Sequence, residues 1–166
     1  MSQRSDFVKT AGAEVGYVEG PKDNETKYGA FTKSNFLPWC GSFVMWCAHE
    51  VGLKIPNVVY TPAGVEGFKG IGKWSNAETA DPKTGDIVFF DFLEGGAKVE
   101  HVGIVVKNNL DGTIITIEGN TKGDKKKSDS EANGGEVVKK VRAYKKDNKR
   151  GLTSFVVGFG TPKFKD

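Results

Sequence analysis

Residues 38–50 read Pro38-Trp39-Cys40-Gly41-Ser42-Phe43-Val44-Met45-Trp46-Cys47-Ala48-His49-Glu50, and this short run sets the reading of everything on either side of it. Pro38 disfavours helical geometry in the residue before it, so it closes whatever precedes. From Cys40 onward, Phe43, Val44, Cys47 and Val51 recur at the three-and-four spacing of a helix with one buried face, and Gly52 supplies the stop. The pattern predicts a helix over about 40–51 with a cysteine in its first turn. A thiol there sits beside unpaired backbone N–H groups and the positive end of the helix dipole, both of which favour a thiolate. Cys47 lies two turns further along, roughly 10 Å away at 1.5 Å rise per residue. That separation is too long for a disulfide, and Cys47 reads as a small core hydrophobe.

The chain has 166 residues, 37% of them hydrophobic and 27% charged, as expected of one soluble domain (core about 5–164) able to bury its own core. No apolar run approaches a membrane span, so no membrane insertion is expected. The start, Met1-Ser2-Gln3-Arg4-Ser5, has no signal-peptide character, so synthesis in a cytoplasm without an export signal is expected. The net charge of +3 is uneven: residues 121–166 hold 13 Lys or Arg against 6 acids, and the first 120 hold 11 against 15. A basic C-terminal portion suggests either attraction to an anionic polymer, with Lys125, Lys126 and Lys127 as its centre, or simply a solvated lysine-rich edge. No zinc-finger spacing, phosphate-binding glycine loop or aromatic-basic interleaving is present, which argues against nucleic acid as a partner.

On the N-terminal side, residues 5–15 read as a helix capped by Ser5, with Phe7, Val8, Ala11 and Val15 as its apolar stripe. Gly16 to Gly29 reads as a polar connection anchored by Tyr17 and Tyr28. Thr61-Pro62 reads as the cap and first turn of a further helix with Val65 and Phe68 inward, ended by Gly70 and Gly72. After Pro82 the period changes from helical to extended. Strands are expected at Asp86–Phe90, Val99–Val106, Thr113–Asn120, Glu136–Tyr144 and Phe155–Phe159, with Asn109-Leu110-Asp111-Gly112 as a hairpin turn. Residues 121–135 read as a mobile loop. Helices followed by a run of antiparallel strands is the order of an α+β domain.

Two histidines are present. His49, near the end of the central helix, reads as structural or solvent-exposed. His101 opens the second strand, and period two puts it on one face with Gly103 and Val105, leaving Val102, Ile104 and Val106 on the other. Gly103 leaves room for a close approach. The same period groups Glu118 with Asn120 on the neighbouring strand, where a carboxylate can accept from the imidazole and fix its tautomer. Nucleophile at a helix start, base on a strand and orienting acid on the next strand is the triad logic with cysteine in place of serine. Taken singly, Glu118 reads equally well as a solvated strand-end acid and His101 as a satisfied histidine; their joint arrangement favours catalysis.

With these pieces in hand, the sequence resembles the CHAP domain (cysteine, histidine-dependent amidohydrolase/peptidase). The resemblance rests on the run from Pro38 to Ala48, on Pro82-Lys83-Thr84-Gly85-Asp86-Ile87-Val88-Phe89-Phe90, on His101-Val102-Gly103-Ile104-Val105 and on Ile117-Glu118-Gly119-Asn120-Thr121. The segments Asn24–Gly29 and Val157–Phe164 are similar to those of phage lysins. The resemblance implies a papain-like α+β fold, with N-terminal helices on a strongly bent antiparallel sheet. It implies Cys40 as nucleophile, His101 as general base and then acid, Glu118 as the group orienting His101, and Asn120 as an accessory polar residue. The backbone N–H of Cys40 is the candidate for part of an oxyanion hole. Some relatives bind calcium in an acid-rich loop just before the nucleophile. Phe31 to Trp39 contains no acid, with Asp23 and Glu25 farther upstream, so no metal and no cofactor is expected.

The activity implied is hydrolysis of an amide in the bacterial, and specifically Gram-positive, cell-wall peptide by a monomeric phage endolysin domain. Such an enzyme accumulates in the host cytoplasm and acts on the wall after membrane disruption. An endopeptidase is favoured over an N-acetylmuramoyl-L-alanine amidase using the same residues. A non-catalytic wall-binding module is the alternative from another class.

Overall fold

The computed structural model describes residues 1–94 and 98–165. Four helices come first: α1 (Gln3–Ala13), α2 (Lys27–Phe31), α3 (Cys40–Glu50) and α4 (Thr61–Gly70). Six strands follow: β1 (Trp74–Asn76), β2 (Ile87–Phe90), β3 (His101–Asn108), β4 (Thr113–Thr121), β5 (Glu136–Ala143) and β6 (Val156–Gly160). They form one antiparallel sheet in the order β1-β6-β2-β3-β4-β5. The α+β order read from the sequence holds. Strong bending does not: the sheet is not strongly curled. Its pairing runs in linear order between two edge strands, β1 and β5, so nothing draws it closed.

The central helix starts at Cys40 as its periodicity requires, and Phe43, Val44 and Cys47 are buried. They pack with Val102, Ile104 and Ile117 on one sheet face. Val88, Phe90, Val105, Ile114 and Phe159 form a second core on the other face, closed by Tyr144 and Ala80. The alternation expected along β3 is thus observed. Each fully buried aromatic or aliphatic side chain contributes about 1.5–3 kcal/mol, so β2, all four of whose residues are buried, is strongly held from both faces.

Local departures have local causes. α1 is capped by Ser2, not Ser5: the two form a reciprocal capping box in which Ser5 is the inner partner. α4 has Tyr60 at its cap position, which moves Thr61 into the first turn. α2 and β1 span 5 and 3 residues, too short to establish a period. After Thr121, which ends β4, the segment to 135 carries no regular structure, yet it is fastened. Buried Glu136 accepts the backbone N–H groups of Lys125 and Lys126, and Glu94 accepts those of Glu131 and Ala132.

Asp86, just before β2, is buried and accepts the Lys83 N–H at 2.8 Å. Burial outweighs its hydrogen bonds and nearby cations and pushes its carboxyl pKa up to about 6. A carboxyl raised in the folded state binds protons more tightly there than in the unfolded chain. Its contribution is therefore fully present below the ordinary carboxylate range and is lost as pH rises through about 6. Asp86→Asn retains the acceptor but not the charge. Urea unfolding at pH 4 and pH 7.5 should show the variant gaining stability on the native protein at the higher pH, on the order of 2–3 kcal/mol.

Candidate active site

The start of α3 is held by an aromatic cluster. Tyr28 is fully buried, stacks on Trp39 with ring centroids 5.5 Å apart, and meets Phe43 and Trp46 edge-on. The Trp39 indole N–H donates to buried Glu19 at 3.0 Å. The first helical hydrogen bond of this turn runs from Phe43 N–H to the Trp39 carbonyl, leaving the Cys40 N–H without an intrahelical acceptor. Gly41 is needed here, because a Cβ would collide with the Val58 carbonyl oxygen of the segment passing the helix start.

His101, at the start of β3, is fully buried. Its Nε2 pairs with Glu118 Oε1 at 2.9 Å, across a register in which β3 and β4 are antiparallel neighbours. An ionised carboxylate only accepts, so this nitrogen carries the proton and the neutral ring presents Nδ1 as its basic atom. Nδ1 makes no well-formed hydrogen bond, and the Cys40 thiol interacts with the same ring. The room for this arrangement comes from Gly103: a Cβ there would lie 2.6 Å from Glu118 Cγ. The close approach anticipated at Gly103 is that of the Glu118 side chain.

Burial by itself lowers the pKa of an imidazole. At His101 the hydrogen-bond and charge interactions with Cys40 and Glu118 overcome it and push the value up to about 9. Glu118 is also fully buried, which would raise its pKa; Arg142 and then His101 reverse that and hold the carboxyl well below the usual range. The His101 contribution to stability is therefore complete below the ordinary imidazole range and is lost as pH rises through about 9. That of Glu118 is present above the ordinary carboxylate range and is lost only in strong acid.

Three neighbours escaped the sequence reading. Arg142 on β5 donates from Nε to Glu118 Oε2 at 2.9 Å and from Nη2 to Oε1 at 2.7 Å. Thr116 Oγ1 donates to Oε2 at 2.5 Å. Phe92 stacks on Phe90 at 5.1 Å, and both rings flank His101 with centroids 5.6 Å away. Only Thr116 left a signal, since it shares the Glu118 face by period two.

Asn120 is buried, but its side chain turns to the 121–135 segment: Nδ2 donates to Asn133 and Oδ1 accepts from the Gly135 N–H. The strand register shifts between Glu118 and Thr121, and Asn120 has φ 55°, so the period-two grouping of Glu118 with Asn120 breaks at this bulge. His49 is exposed and packs against the Phe31 ring. Cys40 and Cys47 are both free thiols; burial pushes the Cys47 thiol well up, as suits a core residue. Of the lysines expected to meet a polymer, Lys125 donates to the Gly16 carbonyl and Lys126 to Glu19, so two of the three ammonium groups are engaged within the chain.

A cleft of about 370 Å³ opens over Cys40, lined mostly by apolar side chains, among them Leu37, Pro38, Val59 and Val99, and also by Ser34, Thr61 and Glu100. Thr61 Oγ1 donates to the Val99 carbonyl at 2.6 Å and so ties α4 to the segment that leads into His101. Among the described residues, no three His, Cys, Asp or Glu side chains are grouped as a metal ion would need, and no helix is long and apolar enough to cross a membrane.

A family model of the CHAP domain matches residues 32–120, more than half of the chain and the span from the approach to α3 through the bulge after Glu118. The chain belongs to the CHAP domain family. CHAP domains hydrolyse peptidoglycan as amidases or peptidases. Arg142 lies beyond the matched span. Among solved structures, the crystal structure of Ly7917 is similar in fold, with a TM-score of 0.54 at 14% identity over 96% of this CHAP chain. The chain covers 62% of that structure's length. No curated protein matches the sequence.

Replacing Glu118 with Gln removes the anion that holds both His101 and Arg142. The His101 imidazole should then titrate well below the native value of about 9, read by NMR with exposed His49 as the reference signal. Stability should fall, by at most about 3–5 kcal/mol, because a partly buried guanidinium that keeps only Glu131 loses its main counter-charge.

Proposed function

We propose that this protein is a peptidoglycan hydrolase that uses Cys40 as nucleophile, His101 as base and then acid, and Glu118 as the group that orients His101. One observation carries the reading: a cysteine at a helix start interacts with a buried imidazole whose other nitrogen is held by a buried carboxylate. The order of helices before sheet, with cysteine on the first and histidine on the second, supports a papain-like arrangement.

In this mechanism His101 takes the Cys40 thiol proton, the sulfur attacks the amide carbonyl carbon and the C=O π electrons move onto oxygen, where the Cys40 N–H is a candidate donor. As the tetrahedral intermediate collapses, the C–N bond breaks and the His101 proton passes to the departing amine. A proton retained to about pH 9 is available for that transfer across the neutral range. Water then attacks the thioester with His101 as base, releasing the carboxylate product and the thiol. Asn120 acts as an accessory residue, through the segment it fastens beside Glu118.

The cleft favours peptide over sugar. Its walls are mostly apolar, suited to the methyl side chains of an alanine-containing stem and poorly matched to saccharide hydroxyls. This supports an endopeptidase over the muramoyl-alanine amidase. Segments 24–29 and 157–164 support a lysin of phage origin, acting on a Gram-positive wall after membrane disruption. With Lys125, Lys126 and Lys140 engaged within the chain, Lys127 and Lys139 are basic groups that could meet an anionic wall polymer.

Purified Gram-positive peptidoglycan treated with native protein and with Cys40→Ala tests the proposal. Native protein alone should release fragments, and mass spectrometry should find new stem or cross-bridge termini. Equal release by Cys40→Ala refutes the nucleophile, and a free lactyl carboxyl paired with a new N-terminal alanine refutes the endopeptidase.

A further inference from the structure

We infer that Arg142 is a positioning residue of this active site, fixing the Glu118 carboxylate in the one orientation that serves His101. The inference rests on the assignment of Cys40, His101 and Glu118 made above, and goes beyond it to a residue outside the family match.

The geometry of Glu118 carries the argument. Oε1 takes both His101 Nε2 at 2.9 Å and Arg142 Nη2 at 2.7 Å, and Oε2 takes Arg142 Nε at 2.9 Å and Thr116 Oγ1 at 2.5 Å. A carboxylate otherwise turns freely about its last torsion, whose profile is broad and two-fold. A planar guanidinium fork engages both oxygens at once and removes that freedom, which an ammonium cannot do. Arg142 and His101 thus share one oxygen, so any rotation that weakens the fork also moves the acceptor away from the imidazole.

Arg142 is itself placed from two sides. Its guanidinium lies 5.3 Å from the Phe90 ring centroid and 4.9 Å from that of Phe92, the two rings that also flank His101. Nη2 makes a second ion pair with Glu131 Oε2 at 3.2 Å, and Lys140 pairs with the same oxygen at 3.1 Å. The charged groups around Glu118 are therefore His101 from β3, Arg142 and Lys140 from β5, and Glu131 from the 121–135 segment, with Cys40 beyond the imidazole. Arg142 is the principal group holding the Glu118 carboxyl low. Without it, a buried carboxylate is left with one histidine and one hydroxyl, and competes for the proton that His101 should hold.

The test compares native protein with Arg142→Gln, Arg142→Lys and Glu131→Gln. It measures, each against pH, kcat and KM for fragment release from Gram-positive peptidoglycan and the rate of Cys40 alkylation by iodoacetamide, together with the folded fraction by circular dichroism. Cys47 is fully buried and does not compete for the reagent. Arg142→Gln should lower kcat roughly 10- to 100-fold, the usual effect of losing an outer partner of a functional histidine. KM should change little, and the acidic limb of both pH profiles should move to higher pH. Arg142→Lys should return the limb towards its native position while recovering only part of kcat. Glu131→Gln, which leaves the fork intact, should keep the native limb.

The inference is overturned if folded Arg142→Gln keeps kcat and both profiles within twofold of native, or loses activity only in proportion to its folded fraction. It is equally overturned if Glu131→Gln reproduces the Arg142→Gln profile, since Arg142 would then act through the segment. Should Arg142→Gln not fold, Arg142→Lys decides: native kcat in that variant refutes the fork. A native protein inactive on every wall would refute the functional assignment, and the alkylation profiles would still report on Arg142.

Discussion

A carboxylate with no exposure to water must find its hydrogen bonds inside the protein, and Glu118 is such a group. An unpaired buried charge would cost several kcal/mol, so the chain must deliver donors to it from separate elements. His101 comes from β3, Thr116 from two residues back on β4, and Arg142 from β5. The three central-to-edge strands are thus cross-linked through one side chain as well as through their ladders. The site and the sheet's integrity are the same set of contacts.

Helix α3 supplies the other half. Its burial on Val102, Ile104 and Ile117 is ordinary apolar packing, yet it fixes where Cys40 stands relative to the imidazole. Around its first turn the structure spends an aromatic cluster and a buried glutamate on Trp39, the residue before Cys40. In the proposed mechanism the nucleophile on a well-packed helix and the base on a fully buried strand position are both pre-organised, and no large rearrangement is needed to bring them together.

Much of this was legible in the sequence, for identifiable reasons. A helix with one buried face betrays itself by spacing, and so α3 and the inert Cys47 could be read. A hairpin turn plus alternation placed His101 and Glu118 on neighbouring antiparallel strands, with Gly103 giving the space. Asn120 misled because alternation fails at a bulge, where one residue enters the left-handed region. Arg142 was hidden by an inversion: on β5, Val141 faces solvent while Arg142 points inward, contrary to hydropathy. The inner side of that strand meets charges rather than a core, and only the fold reveals it. α2 and β1 were too short to carry a period. The flatter sheet reflects pairing across six strands, a property no single segment encodes.

β5 is also an edge strand: its ladder is with β4, and on its far side the segment 16–18 meets only its first residues, through Glu136 and Val137. Edges fray before centres, because their backbone bonds are the most open to solvent. The clamp on the innermost acid of the site is therefore mounted on an edge of the sheet, not at its centre. Loosening of that border alone would free the Glu118 carboxylate while the helix and the central strands still stood.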